Sequence, residues 1–110
     1  MEKLSLTALA RQQLGLAGSS PSGRSSRTVY GGHEHVLRQT LIAMAAGQVL
    51  EEHVGPGEAT VHVLQGRVRL AAGTTTWEGS PGDLLIVPNA RHAVEALEDS
   101  AFLLTVAMSG

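Results

Sequence analysis

The chain has 110 residues, 43% of them apolar, 16% charged and 3% aromatic, which makes one packed domain with an aliphatic core and excludes overall disorder. It has no cysteine, so disulfides, thiolate metal sites and cysteine nucleophiles are excluded. A net charge of −2, and no apolar run near the roughly 20 residues that span a bilayer, give no reason to expect nucleic acid or a membrane as partner.

Charge is unevenly spread. Residues 1–28 hold Lys3, Arg11, Arg24 and Arg27 against Glu2, a net of +3, which leaves −5 for the remainder. This Arg- and Ser-rich start is read as a bacterial N-terminal arm rather than an organelle transit peptide, and Arg11, Gln12 and Gln13 interrupt any secretory signal. Leu4–Ala17 carries the one helical pattern. Leu6, Leu9, Ala10, Leu14 and Ala17 fall on one stripe, Ser5 or Thr7 can cap it, and so short a helix needs a surface to dock on. Gly18–Ser26 reads as a flexible linker, so the division expected is 1–26 for helix and linker and 27–110 for the folded domain.

Short β-runs follow at Thr28–Tyr30, Val36–Met44, Gln48–Val54, Ala59–Gln65, Arg67–Ala72, Thr74–Glu78, Asp83–Val87, His92–Leu97 and Ala101–Ala107. Gly, Pro, Asn and Asp breaks separate them, with no helical period between, which predicts an all-β sandwich or barrel. In Arg67–Leu70 the arginines share one face and Val68 and Leu70 the other. Leu84–Val87 and Phe102–Val106 are apolar on both faces, which predicts strands covered on both sides and a second subunit over one sheet.

The centre of the chain is Gly47–Gly66, two β-runs joined through the Gly55-Pro56-Gly57 corner with His53 before it. Gly47 is followed after five residues by His53, and Val63-Leu64-Gln65-Gly66 closes the segment. Further on, Gly82 is followed after five residues by Pro88 and then by His92. The order of these pieces, over about Val36–Ala107, resembles the cupins, small double-stranded β-helix (jelly-roll) barrels. The resemblance implies an all-β jelly-roll barrel, which the short N-terminal helix precedes, often a homodimer, with a metal or ligand site at the barrel mouth. Of its four ligand positions, His53 and His92 carry over. Gly55 stands at the second histidine position and Ala59 at the glutamate position, and the loop before His92 is one residue short.

Two imidazoles make a weak site for a divalent ion, which takes four to six ligands. His62 is the candidate third ligand. Strict alternation from Ala59 turns it to the other face, and a bulge near the Gly-Pro-Gly corner would re-aim it inward. Glu58 would need the same bulge, and Glu51 is read as a solvated carboxylate. His33-Glu34-His35 is read as a surface pattern, and Trp77 as packing on a sheet face. Arg38, inside the apolar run Val36–Met44, must be paired or face a cavity, which makes it a candidate anion-binding group against the alternative of an edge-strand charge.

There is no Gly-rich phosphate loop for a nucleotide cofactor and no nucleophile elbow. The leading reading is a binding, sensor or accessory protein, cytoplasmic, that holds a small molecule or a divalent metal (Fe, Mn, Ni or Zn) through His53 and His92. Val61, Val63, Val68, Leu70, Ile86 and Val94 would line the barrel. The alternative is a metal-dependent oxygenase or isomerase using His53, His92 and either His62 or Glu58. A weaker reading is a regulatory module whose helix docks on a partner.

Overall fold

The computed structural model describes residues 2–52 and 57–108. Among them, α1 (Leu6–Ser19) is followed by β1 (Arg24–Tyr30), β2 (Leu37–Met44), β3 (Val49–Glu52), β4 (Gly57–Gln65) and β5 (Val68–Ala72). Then come β6 (Thr75–Gly79), β7 (Leu84–Val87), β8 (His92–Ala96) and β9 (Ser100–Met108). No helix among the described residues is long and apolar enough to cross a membrane.

Every pairing is antiparallel. One sheet has the order β1-β2-β9-β4-β7 and the other β3-β8-β5-β6, two sheets closed face to face as a jelly roll. Alternation decides what lies between them. Ile42, Met44, Val61, Val63, Val68, Leu70, Val94, Ala96 and Phe102 are buried together in the barrel, with Leu50, Leu85, Val87 and Leu104 against them. The intervening residues Leu41, Ala43, Ala101 and Leu103 are buried on the outer face of the five-stranded sheet.

That outer face is what α1 covers. Ser5 Oγ accepts the Ala8 N–H at 3.2 Å, so the helix begins at Leu6, two residues later than the sequence pattern suggests. Ala10 and Ala17 are buried on the sheet, with Leu6, Leu9 and Leu14 packed beside them. A 14-residue helix is marginal in water, so this docking is what holds it. The apolar outer side of β9 is met by the chain's own helix.

The linker is shorter than its composition predicts. A turn closed by the Gly23 N–H on the Ser20 carbonyl (3.0 Å) leads into β1 at Arg24, ahead of the expected domain start at Arg27. Ser25 hydrogen-bonds the buried Gln13 of α1, and Arg24 to Thr28 pair with Met44 to Thr40. An edge strand takes its place from backbone pairing, so its Ser and Arg side chains hide it from a composition-based reading.

On the four-stranded sheet Arg67 and Arg69 face outward as expected. Arg69 lies 3.8 Å from Glu78 and 3.4 Å from Glu95 in a cross-strand charge ladder, and Arg67 pairs with Glu78. Within the single chain β7 is covered on one face. Leu85 and Val87 pack inward, while Leu84 and Ile86 are 57% and 66% exposed, so Ile86 does not line the barrel.

Candidate functional site

One end of the barrel gathers the connections 31–36 (β1–β2) and 88–91 (β7–β8), with Glu52 ending the described part of β3 and Gly57 opening β4. Register fixes the level there. Arg38 pairs with Val106, Val106 with Ala59 and Ala59 with Val87 on one sheet, and Glu52 pairs with His92 on the other.

His92 opens β8 and is 8% exposed. Alternation with the buried Val94 and Ala96 turns it into the barrel. Its Nδ1 lies 3.0 Å from the Ala90 carbonyl. A carbonyl only accepts, so Nδ1–H is the donor, and in the neutral ring the lone pair is on Nε2. Ala90 is itself held by its N–H to the Pro88 carbonyl at 2.8 Å, so the loop that ends β7 sets the orientation of the imidazole. His53, its expected partner, lies outside the described residues, as does Gly55; the described part of β3 ends at Glu52, beside His92.

Ala59 faces the barrel with Val61 and Val63, so a methyl group stands at the mouth where the resemblance implies a carboxylate. His62 keeps the strict alternation of β4. The β4–β9 register is unbroken from Gly57 to Val63, and the irregularity falls between Val63 and Gln65, after His62 rather than before it. The imidazole is therefore on the outer face with Leu64, paired across strands with Leu103 and Leu84. Glu58 shares that outward parity and is exposed, and Glu51 is exposed next to the inward Leu50.

His33, Glu34 and His35 are exposed in the 31–36 connection, where a turn closed by His35 N–H on the Gly32 carbonyl (3.1 Å) breaks any strand parity. The His35 ring lies 5.1 Å from that of Tyr30, tilted 40°. Trp77 pairs with Leu70 at the edge of its sheet and is partly exposed. Among the described residues no three His, Asp or Glu side chains come together to hold a metal ion.

Two arginines stand out. Arg38 shares the barrel-facing parity of Thr40 and Ile42, and makes no ion pair among the described residues. Gly31 leaves room for its stem, since a Cβ there would come 3.2 Å from Arg38 Cγ. Arg24 was hidden by the linker reading. Its Nη2 donates to the Val49 carbonyl at 2.6 Å and ties the free edge of β1 to that of β3. The signal that could have found it is the alternation of Arg24, Ser26 and Thr28 on one face against Ser25, Arg27 and Val29 on the other.

The structure resembles several solved ones. A cupin superfamily protein from Desulfitobacterium hafniense aligns over 98% of this chain and 92% of its own, at 18% identity and a TM-score of 0.79. A conserved protein of unknown function from Streptococcus pyogenes aligns over 83% and 79%, at 26% identity and a TM-score of 0.73. KdgF from a Halomonas species aligns over 83% and 85%, at 21% identity and a TM-score of 0.67. No curated protein matches the chain. The cupin domain family matches residues 40–108, more than half of the sequence, from within β2 to the end of β9. On that match, and on the jelly-roll topology, the chain belongs to the cupin domain family.

Proposed function

We propose that this cupin is a binding protein, acting as a sensor or accessory module, that holds a small molecule in its barrel and does little or no metal-dependent chemistry. The observation that carries the reading is Ala59. At the level where a carboxylate ligand is implied, the strand turns a methyl group inward, and the next histidine along it, His62, faces out. A buried imidazole, His92, then stands over an aliphatic interior, the combination of one polar anchor and an apolar body that suits a mostly apolar ligand. Any divalent ion would rest on His53 and His92 with water completing its shell. The enzymatic alternative needs a third protein ligand, and its two candidates, His62 and Glu58, lie on the wrong face of β4.

A cytoplasmic location and a homodimer belong to the same proposal. The dimer is supported by Leu84 and Ile86, adjacent exposed apolar side chains on the outer edge of the five-stranded sheet that α1 does not reach.

The test is metal content. The protein purified without chelator should carry well under one transition metal per chain, and Fe(II), Mn(II), Ni(II) and Zn(II) should each bind more weakly than about micromolar. Near-stoichiometric metal that disappears in both His53→Ala and His92→Ala would overturn the proposal and restore the oxygenase or isomerase reading.

A further inference from the structure

A cavity of about 400 Å³ opens along the seam where the edge of β1–β2 meets the edge of β3, lined by Arg24, Ser25, Ser26, Thr40, Ile42 and Leu50. It is split by chemistry. β1 presents Arg24 and Ser26 on its barrel-facing side, opposite Met44 and Ile42 of β2, and Thr40 continues the polar strip toward the mouth. Ile42 and Leu50 belong to the aliphatic core and make the other side. No carboxylate lines it.

Among the described residues the Arg24 guanidinium makes no ion pair and donates to the Val49 carbonyl. A guanidinium has five N–H donors in a planar fork, so a bidentate face remains for an acceptor. An unopposed cation beside two hydroxyls repels a divalent metal and selects an anion, while the Ile42–Leu50 side demands an apolar body. One arginine with an aliphatic floor suits a carboxylate better than a phosphate, which carries more charge than this cavity can neutralise.

We propose that the seam cavity binds a small amphipathic carboxylate, its head on Arg24, Ser26 and Thr40 and its aliphatic body on Ile42 and Leu50. This deepens the binding function proposed above and rests on it. It adds an anchor distinct from His92: Arg24 pairs with Met44, at the opposite end of β2 from Arg38 and the mouth.

The experiment titrates the full chain with octanoate and with its neutral isostere octanamide, by calorimetry and by chemical-shift mapping. Octanoate should bind about tenfold or more tighter than octanamide, with shifts concentrated at Thr40, Ile42 and Leu50. Arg24→Gln should weaken octanoate to about the affinity of octanamide and so abolish the difference. Arg24→Lys, which keeps the charge, should retain most of it, and a thermal melt of each variant checks that the fold survives loss of the Val49 bond. Arg27→Gln, on the outer face of β1, should bind as the wild type does. If octanamide binds as tightly as octanoate, if Arg24→Gln leaves octanoate unaffected, or if the shifts centre on His92 and Val106, the seam proposal fails while barrel binding stands. If neither probe binds the wild type, both fail.

Discussion

Gly66 and Ser100 are packed so closely that one position admits no side chain. Gly66 has φ +80°, and a Cβ there would fall on Ser100 Oγ and the Asp99 carbonyl and within 2.8 Å of Ser100 Cα. Ser100 is fully buried. Its hydroxyl accepts the Arg67 N–H at 3.1 Å and has the Arg67 and Glu98 carbonyls at 2.9 and 2.7 Å as acceptors, so it satisfies the turn from β4 to β5. This is the physical reason for a glycine at the end of the Gly47–Gly66 segment. Gly66→Ala adds left-handed strain to overpacking against backbone and should lose about 2–4 kcal/mol in urea denaturation. A variant as stable as the wild type would show that the turn relaxes freely.

Gln13 and Ser25 make the contact that joins the helix to the first strand. Gln13 is buried and hydrogen-bonded to the Ser25 hydroxyl. Ser25→Ala leaves a buried amide unsatisfied and should cost about 1–3 kcal/mol, whereas Gln13→Leu with Ser25→Ala should recover most of that loss. A double-mutant cycle by chemical denaturation measures it, and additive losses would refute the coupling.

Nine strands and a docked helix were legible in the sequence because period-2 alternation, Gly/Pro breaks and one 3.6-residue stripe report them directly. Arg67–Leu70 is the cleanest case, with charge outward and Val68 and Leu70 inside. What escaped were facts settled by pairing rather than pattern. Ser25 and Arg24 look like linker until β2 is beside them. Ile86 looks like core, and only the inward packing of Leu85 and Val87 turns it out. The direction of His62 hinged on where a bulge falls, and the register puts it after His62, at Val63/Gln65. At the site, the barrel-facing positions of His92 and Ala59 were legible, but the seam cavity was not, because its walls come from three strands that sequence spacing does not bring together.

Leu84 and Ile86 give the assembly test. Both lie on the outer side of β7, an edge strand, with His62 on the neighbouring β4. Ile86→Lys removes apolar surface and sets like charges against each other across a two-fold interface. If this face joins two copies, light scattering should show a dimer for the wild type and a monomer for Ile86→Lys, at unchanged thermal stability of the isolated fold. A wild-type monomer, or a variant dimer, would dismiss this face as the interface.

Restoring the missing carboxylate tests the mouth itself. Ala59 faces inward at the level of Val106 and Val87, so Ala59→Glu adds an oxygen donor where His92 supplies an imidazole. Ni(II) affinity by calorimetry should rise about tenfold or more, and His92→Ala in the same background should remove the gain. Arg38 is the competitor. It pairs with Val106, which pairs with Ala59, so it stands two strands away, about 10 Å at the spacing of adjacent strands, within reach of a long side chain. An ion pair between Arg38 and the new glutamate would hold the carboxylate away from the metal, so Ala59→Glu with Arg38→Gln should bind Ni(II) more tightly than Ala59→Glu alone. Equal affinity in the two would mean that Arg38 turns away from the mouth. No gain in either would mean that the mouth is closed to a metal for a reason other than its missing ligand.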